Sequence, residues 1–422
     1  MEPITLKFKD TPISGRVKIT GSKAISNRLL MMESLSYSVV DFENLSTSED
    51  TELLKFYLSF FDTCANSRIA MIVDTENAGA VMRFIMAFAS IREGKWLITG
   101  HERLKEHSVK PLVDALRKLG AEIEYTEKEG TPPVKVIGKP LTGGDVSIDA
   151  QQSSHFVSAL MLIAPYLNYG LTIHLKGKAV SRSYINMTAY LMQHAGIDIE
   201  MDNETIKIQP GDYALKPYSI EPDWNNTSYW YELVALSKNA EIFIEGLKQH
   251  SIQGEREIAD IYENFGVKTT FENQGIRLTK SEKITEEFSY NFTDTPDLAL
   301  PVIVTCAALK IKSKFMGLNK ERIKENTRLE VLEQELKKIG ADLKQQKDIF
   351  YLDFNNNHYQ EVFLKLDADN DHRLAMSFAL LALKLKKLEI YNPGNVKKSY
   401  PKFWKDINNF GVKVEIPEGV CS

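Results

Sequence analysis

Apolar residues at helical spacing, closed by a glycine and followed by an alternating strand, recur along the chain. The five clearest copies read VDALRKLGAEIEY, AYLMQHAGIDIEM, IADIYENFGVKTTF, LEQELKKIGADLKQ and FWKDINNFGVKVEI. The glycines that close the five helical patterns are Gly120, Gly196, Gly266, Gly340 and Gly411. A glycine after the last turn often ends a helix, and apolar–polar alternation is typical of a half-buried strand. The pattern therefore predicts a chain built from repeated helix–strand units.

The spacing of these glycines indicates how many units there are. They recur about every 70 residues, which is longer than the 20–50 residues of common solenoid repeats. A weaker copy, TELLKFYLSFFDT, lies where a first unit would fall. Six units of this size fill the 422 residues. We therefore predict two α/β domains of three units each.

The boundary between the domains is predicted at two crossings of the chain. The segment SIEPDWNNTSYW, residues 219–230, has the composition of a loop and precedes a helical run, YWYELVALS. If the first strand, ITLKF, belongs with the later half, the second crossing falls near residue 20. We predict one domain at 21–221 and another at 1–20 with 222–422, with the hinge near 20–21 and 219–226. The segment GSKAISNRLL would then lie at the hinge, in a cleft where ligands commonly bind.

Composition narrows the class of protein. The net charge of −5 gives no general attraction to nucleic acid or to an acidic membrane, so a cationic site must be local. Cys64, Cys306 and Cys421 are scattered and odd in number, which is typical of a reducing compartment. MEPITLKFKD has no apolar signal core, and no segment has the length of a membrane span. We expect a cytoplasmic protein without a metal, a membrane anchor or a nucleic-acid partner.

Lys23 and Arg28, in GSKAISNRLL, lie at the start of an apolar helical pattern. The free N–H groups and the dipole at a helix start favour an anion, and the two cations add to this. The stretch is not a nucleotide P-loop, because the Gly-Lys-Ser/Thr ending with its spaced glycine is missing. An ordinary surface helix with a lysine at its start remains the alternative at this point.

Several other predicted helices also begin with polar or cationic residues. These stretches read NAGAVMR, QQSSHF, SRSY, TPDLALP, RIKENTR, DNDHRLAM and VKKSYP. Taken singly, helix caps and solvated helix faces explain most of them. Taken together, helix starts of this kind could line one cleft that suits substrates carrying phosphate and carboxylate groups.

In their order, these motifs resemble those of the EPSP synthase (3-phosphoshikimate 1-carboxyvinyltransferase) family, from about residue 14 to residue 405. The resemblance implies a two-domain inside-out α/β barrel of the enolpyruvyl transferase type, with six βαβαββ-type repeats, three per domain. It also implies transfer of the enolpyruvyl group of phosphoenolpyruvate to the 5-hydroxyl of shikimate 3-phosphate, a step of aromatic amino acid biosynthesis. The resemblance also implies that no cofactor is needed. The related UDP-N-acetylglucosamine enolpyruvyl transferases share the fold but usually carry a cysteine loop that has no counterpart here.

The resemblance assigns roles to individual residues. Shikimate 3-phosphate would contact Lys23, Arg28, Ser153, Ser154, His155, Ser181, Tyr184, Asp297 and Lys324. Phosphoenolpyruvate would contact Lys23, Asn77, Gly79, His107, Arg328, Arg373 and Lys398, with His372 in support. Asp297 would accept the hydroxyl proton, Glu325 would relay a proton at the methylene carbon, and Lys23 would bridge both substrates. The two substrates are the expected partners, and a monomer is expected.

The sequence departs from the family pattern at five positions. Ala24 and Ala80 replace hydroxyl residues, His155 replaces an amide, Thr327 replaces an aspartate, and His107 stands where an arginine normally binds phosphoenolpyruvate. These changes keep a second hypothesis open, in which the chain binds anionic ligands without this activity or uses another acceptor.

Overall fold

The computed structural model describes residues 3–64, 69–177, 179–318, 326–354 and 363–417. The chain divides into two compact units. The central unit comprises residues 21–220, and the split unit comprises residues 1–20 together with 221–422. Within the described ranges, no helix is both long enough and apolar enough to cross a membrane.

The strands are numbered in chain order. Those at the N-terminus of the split unit are β1 (Ile4–Phe8) and β2 (Ile13–Val17). The central unit contains β3 (Phe42–Glu43), β4 (Met71–Asp74), β5 (Gly94–Thr99), β6 (Glu122–Tyr125), β7 (Val134–Gly138), β8 (Gly144–Asp149), β9 (Leu171–Lys176), β10 (Ile199–Met201), β11 (Thr205–Ile208) and β12 (Tyr218–Ser219). The split unit continues with β13 (Ala240–Glu245), β14 (Phe265–Glu272), β15 (Gly275–Ile284), β16 (Glu287–Asn291), β17 (Lys312–Met316), β18 (Ala341–Gln346), β19 (Ile349–Phe354), β20 (Leu364–Asp367), β21 (Lys387–Tyr391) and β22 (Val412–Glu415).

The helices are numbered in the same way. The central unit contains α1 (Lys23–Ser36), α2 (Glu49–Cys64), α3 (Gly79–Ile91), α4 (Glu102–Lys105), α5 (Lys110–Lys118), α6 (Ser154–Ile163) and α7 (Arg182–His194). The split unit contains α8 (Trp224–Leu236), α9 (Ile258–Tyr262), α10 (Ala299–Leu309), α11 (Asn326–Lys337), α12 (His372–Leu380), α13 (Ala382–Leu385) and α14 (Phe403–Asn409).

Five four-stranded sheets among the described residues repeat one arrangement. In each sheet, one edge strand is parallel to its neighbour and the other two pairings are antiparallel. In the order β4-β5-β7-β6, for example, only β4 and β5 are parallel. The other orders are β10-β11-β9-β8, β14-β15-β13-β2, β16-β17-β19-β18 and β20-β21-β1-β22, and β3 pairs with β12 alone. Strand β1 lies between β21 and β22, so the first strand pairs with the end of the chain. The repeated α/β architecture confirms the predicted fold class.

Two local predictions were wrong. Residues 219–230 are not all loop, because α8 begins at Trp224, where the Asp223 carboxylate accepts a hydrogen bond from the Asn226 N–H at 2.9 Å. Gly266 does not end a helix. It lies within β14 with φ at +75°, where the register with β15 shifts between Phe265 and Val267. An added Cβ there would lie 2.5 Å from the Ser281 carbonyl oxygen, so the bulge requires glycine.

The most apolar helices are buried along almost their whole length. This holds for α3 and α6 in the central unit and for α10 and α12 in the split unit. A helix that is buried on all sides has few positions for polar side chains other than its ends. The fold therefore concentrates polar chemistry at the starts of its helices.

Candidate active site

Lys23 is the first residue of α1, and Ser22 caps the helix by accepting a hydrogen bond from the Ile25 N–H. The Lys23 ammonium donates to the Asp50 carboxylate at 2.9 Å. Asp50 is buried in the first turn of α2. Asp50 is not among the predicted site residues, and the helix dipole alone is a sufficient explanation for an acidic residue at a helix start.

Arg28 is held inside the central unit, with 1% of its surface exposed. Its guanidinium donates to four neutral oxygens, which belong to Thr188 (2.7 Å), Ala24 (2.9 Å), Ser158 (3.0 Å) and Tyr184 (3.2 Å). The rings of Phe84 and Tyr184 lie 5.6 and 5.8 Å from it. Helices α1, α6 and α7 thus fix the orientation of this cation.

The paired serines and His155 lie at the start of α6, where the His155 ring is close to the two aromatic rings that flank Arg28. Ser153 is the N-cap, and its hydroxyl accepts a hydrogen bond from the His155 N–H at 3.3 Å. The same hydroxyl lies 3.5 Å from Nδ1 of His155, and Ser154 is buried beside it. The His155 ring lies 6.2 Å from the rings of both Phe84 and Tyr184. Four predicted residues are therefore brought together, namely Arg28, Ser153, His155 and Tyr184.

The predicted Asn-Ala-Gly turn leads into α3 at Gly79. A Cβ on Gly79 would lie 2.8 Å from Nη1 of Arg83, which donates to the Gly79 carbonyl oxygen at 2.5 Å. Arg83 is buried, its guanidinium lies 5.1 Å from the Phe156 ring, and its Nε has no hydrogen-bond partner among the described residues. Burial lowers the pKa of Arg83 to about 10, so it remains a cation at neutral pH. The site prediction left out this buried charge.

The other predicted residues of the central unit lie in connecting segments. Asn77 precedes the Gly79 turn, and its carbonyl oxygen accepts from the Gly79 N–H at 3.1 Å. Half-buried His107 follows α4, and its N–H donates to the Leu104 carbonyl oxygen at 3.1 Å. Ser181 is the N-cap residue of α7, with φ at +52°.

In the split unit, Asp297 and Arg373 form an ion pair at 3.1 Å. Asp297 lies in the short 3-10 helix Pro296–Leu298 ahead of α10, and Arg373 is the second residue of α12. Asn225, near the start of α8, contacts both of them. Its Nδ2 donates to Asp297 at 3.1 Å, and its Oδ1 accepts from Arg373 at 3.3 Å. Asn225 lies in the segment 219–230 that was predicted to be a loop, and it is not among the predicted site residues.

A second acid–arginine pair lies at the start of α12. The buried Asp371 carboxylate caps this helix by accepting hydrogen bonds from the backbone N–H groups of Arg373 (2.8 Å) and Leu374 (3.2 Å). Its other oxygen accepts from Nε of Arg328, on α11. Asp371 therefore connects Arg328 to the helix that carries Arg373.

His372 is the buried first residue of α12, and Lys398 ends the short 3-10 helix Val396–Lys398. Lys324 and Glu325 lie outside the described residues. Within the described part of the chain, no group of three or more His, Cys, Asp or Glu residues is placed to hold a metal ion.

Comparison with known proteins identifies the family. The model of the family EPSP synthase (3-phosphoshikimate 1-carboxyvinyltransferase) matches residues 8–407. The 3-phosphoshikimate 1-carboxyvinyltransferase of Bacteroides fragilis (strain YCH46) is 38% identical over 405 residues, covering 95% of this chain and 97% of that protein. The Vibrio atlanticus (strain LGP32) protein of the same name is 32% identical over 425 residues, covering 96% and 98%.

A solved structure of EPSP synthase from Acinetobacter baumannii has the same fold. It superposes with a TM-score of 0.75 at 18% sequence identity, covering 99% of this chain and all of that one. The family match and the identity with named relatives extend over nearly the whole length, and the chain therefore belongs to the EPSP synthase (3-phosphoshikimate 1-carboxyvinyltransferase) family.

Proposed function

We propose that the chain performs the reaction of its family through two sets of polar residues, one on each unit. In that reaction, the enolpyruvyl group of phosphoenolpyruvate is transferred to the 5-hydroxyl of shikimate 3-phosphate, and phosphate is released. A proton adds to the methylene carbon while the hydroxyl oxygen bonds to the adjacent carbon. The methyl group of the tetrahedral adduct then loses a proton as phosphate leaves, which re-forms the carbon–carbon double bond. The protein must supply an acid, a base and cations for two phosphates and a carboxylate.

In the central unit, we assign shikimate 3-phosphate to the starts of α6 and α7. The Ser153, Ser154 and Ser181 hydroxyls and helix N-termini suit a phosphate group, and Tyr184 and His155 would contact the ring. The buried guanidinium of Arg28 adds a positive charge for the phosphate of shikimate 3-phosphate. Lys23, oriented by Asp50, is the proposed bridge to phosphoenolpyruvate, together with Asn77, Gly79 and His107.

In the split unit, we assign phosphoenolpyruvate to Arg328, Arg373 and Lys398, with His372 in support. The guanidinium groups can each offer a planar pair of donors to a carboxylate or phosphate. Asp297 would accept the proton of the 5-hydroxyl. Lys324 and Glu325 keep their proposed roles as a phosphate contact and as the proton relay.

One observation carries this proposal more than any other, namely the Asp297–Arg373 ion pair at 3.1 Å. The reaction needs a carboxylate close to a cation that holds the anionic substrate, so that base and electrophile meet in one place. Sequence separates these residues by a long stretch, and only folding brings them together.

A phosphate-release assay tests the function. We expect phosphate only when both phosphoenolpyruvate and shikimate 3-phosphate are present, together with a product whose mass equals that of shikimate 3-phosphate plus the enolpyruvyl group. If calorimetry detects binding of both ligands but no phosphate appears, the chain is a binding member of the family. Release with unphosphorylated shikimate would instead indicate another acceptor.

Two further expectations accompany the function. The cytoplasm is the proposed location, because few and odd cysteines are typical of a reducing compartment. The buried Cys306 fits this, since burial raises the pKa of its thiol to about 12 and keeps it unreactive. A monomer remains our prediction for the oligomeric state.

A further inference from the structure

Asn225 occupies the position between the proposed base and a proposed substrate cation. It is the second residue of α8, and Asp223 fixes that helix start by capping it. The backbone N–H of Asp223 in turn donates to the Thr20 carbonyl oxygen at 3.1 Å. The Asn225 amide therefore projects from an anchored helix start toward Asp297 and Arg373.

The two partners determine the orientation of the amide. The Asp297 carboxylate only accepts hydrogen bonds, so it requires the amide nitrogen, whereas the Arg373 guanidinium only donates and requires the amide oxygen. In a flipped amide, the amide oxygen would face the Asp297 carboxylate, which is also an acceptor. The amide nitrogen would face the Arg373 guanidinium, which is also a donor. Of the uncharged side chains of this length, only asparagine satisfies both partners at once.

Nη1 of Arg373 faces both Asp297 Oδ1 and Asn225 Oδ1. A substrate carboxylate that binds at this nitrogen would share its donors with Asp297 or replace Asp297 there, and would so weaken the contact between Asp297 and Arg373. The hydrogen bond from Nδ2 of Asn225 is independent of Arg373, and it remains available to hold Asp297 Oδ2 in place.

We propose that Asn225 is a positioning residue, which holds the Asp297 carboxylate in place while Arg373 exchanges Asp297 for the carboxylate of the bound substrate. This inference rests on the roles proposed above for Asp297 and Arg373. It adds a residue that touches neither substrate yet determines where the base lies.

Asn225→Leu removes both hydrogen bonds at nearly constant size. We expect kcat to fall about 10–100-fold, as the loss of one or two hydrogen bonds to charged groups implies, while KM for phosphoenolpyruvate changes less than about threefold. Asn264→Leu, at an exposed amide of the same unit, is the matched control and should keep normal kinetics. A normal kcat in Asn225→Leu would overturn the proposal, as would a rise in KM at unchanged kcat.

Asn225→Asp adds a carboxylate beside Asp297. Because like charges disfavour ionisation, the acid limb of the kcat–pH profile should move up by roughly one pH unit. A residue that merely supports folding would lower the amount of active enzyme at every pH without moving the limb. A profile of unchanged shape would therefore contradict the positioning role.

A double-mutant cycle tests the contact without relying on activity. Asn225→Leu and Asp297→Ala are combined, and the urea midpoint of the double variant should fall by less than the sum of the two single shifts. Strictly additive shifts would show that the contact is not made. If the shifts are non-additive but the natural protein releases no phosphate, the proposed function fails while the contact stands.

Discussion

The two units hold their arginines in different ways. In the central unit, Arg28 is 1% exposed and is surrounded by hydroxyl and carbonyl oxygens and by aromatic rings. In the split unit, Arg373 and Arg328 each contact a carboxylate, and the Arg373 side chain is 15% exposed. The described hydrogen bonds of Arg28 go to neutral oxygens, whereas Arg373 and Arg328 are paired with carboxylates that an anionic substrate could replace.

This difference suggests a division of labour. A cation held by neutral oxygens keeps its position and its charge whether or not a ligand is present. A cation paired with a carboxylate is neutralised until an anion competes for it, and its partner is then released for other chemistry. We therefore interpret the Arg28 cluster as a preformed anion-binding site and the Asp297–Arg373 pair as an exchangeable ion pair.

The largest effect is expected at the exchangeable pair. Asp297→Asn removes the proposed base, and turnover should fall by roughly 10²–10⁴-fold. Asp294→Asn, the same change at an exposed aspartate three residues earlier, serves as the control. Steady-state phosphate release measures both. Similar turnover in the two variants would remove Asp297 from the mechanism.

Arg28→Lys should lower the free energy of unfolding more than Arg373→Lys does. An ammonium cannot span the oxygens of Thr188 and Ser158, and unsatisfied buried groups of this kind imply a loss of about 2–4 kcal/mol in the free energy of unfolding. The partly exposed Arg373 pair implies a loss of at most about 1 kcal/mol. Urea denaturation compares the two variants, and equal losses would mean that the environments do not differ as described.

Glu232, in the split unit, is a buried acid that can be compared with the buried cation Arg28. It is fully buried on α8, and neither carboxyl oxygen has a hydrogen-bond partner among the described residues. Burial raises the pKa of Glu232 well above its usual range, although the nearby Ser377 hydroxyl opposes this shift. Unlike Arg28, it is therefore expected to be neutral in the folded protein.

The sign of the resulting pH dependence follows from that raised pKa. Below about pH 4.3, both the folded and the unfolded chain are protonated, and the contribution to stability is fully present. As pH rises toward the folded-state pKa, only the unfolded chain releases the proton. The free energy of unfolding of the natural protein therefore falls by about 1.4 kcal/mol per pH unit.

Glu232→Gln removes this dependence. The free energy of unfolding of the variant, relative to that of the natural protein, should increase from pH 5.5 to pH 7.5. Urea denaturation at both pH values measures it. A relative stability that stays constant between the two pH values would show that Glu232 does not titrate in this way.

The smallest effect concerns His107 in the central unit. An imidazole offers one or two N–H donors, whereas arginine offers a planar fork of five. At pH 8, His107→Arg should lower KM for phosphoenolpyruvate about 10-fold, which corresponds to one charge-assisted hydrogen bond. His101→Arg, at an exposed histidine of the same segment, is the control. No change in His107→Arg would place His107 outside the binding site.

The sequence predicted features that depend on local pattern. The recurring helix–glycine–strand unit, except at Gly266, and the polar helix starts followed from periodicity and turn residues. The prediction of a loop over residues 219–230 was wrong from Trp224 onward, because Asp223 caps a helix whose first residues, Trp224, Asn225 and Asn226, are polar or aromatic and weak in helical pattern.

Contacts between distant residues could not be read from local pattern. Asn225 and Asp297 are 72 positions apart, and Asn225 and Arg373 are 148 apart. Asp50 reaches Lys23 across 27 positions. Each of these residues has a sufficient local explanation as a cap, a loop residue or an acidic helix start, so only the fold reveals the pairing. The proposed role of each site residue remains a prediction.

The most direct test of the division of labour measures both ligands in two variants, Ser154→Ala and Arg373→Lys. Calorimetry gives the dissociation constant for shikimate 3-phosphate, and kinetics give KM for phosphoenolpyruvate. We predict that Ser154→Ala weakens shikimate 3-phosphate binding about 10-fold and changes KM for phosphoenolpyruvate less than about twofold, and that Arg373→Lys does the reverse. If each variant weakens both ligands by the same factor, Ser154 and Arg373 do not serve separate ligands, and the account is contradicted.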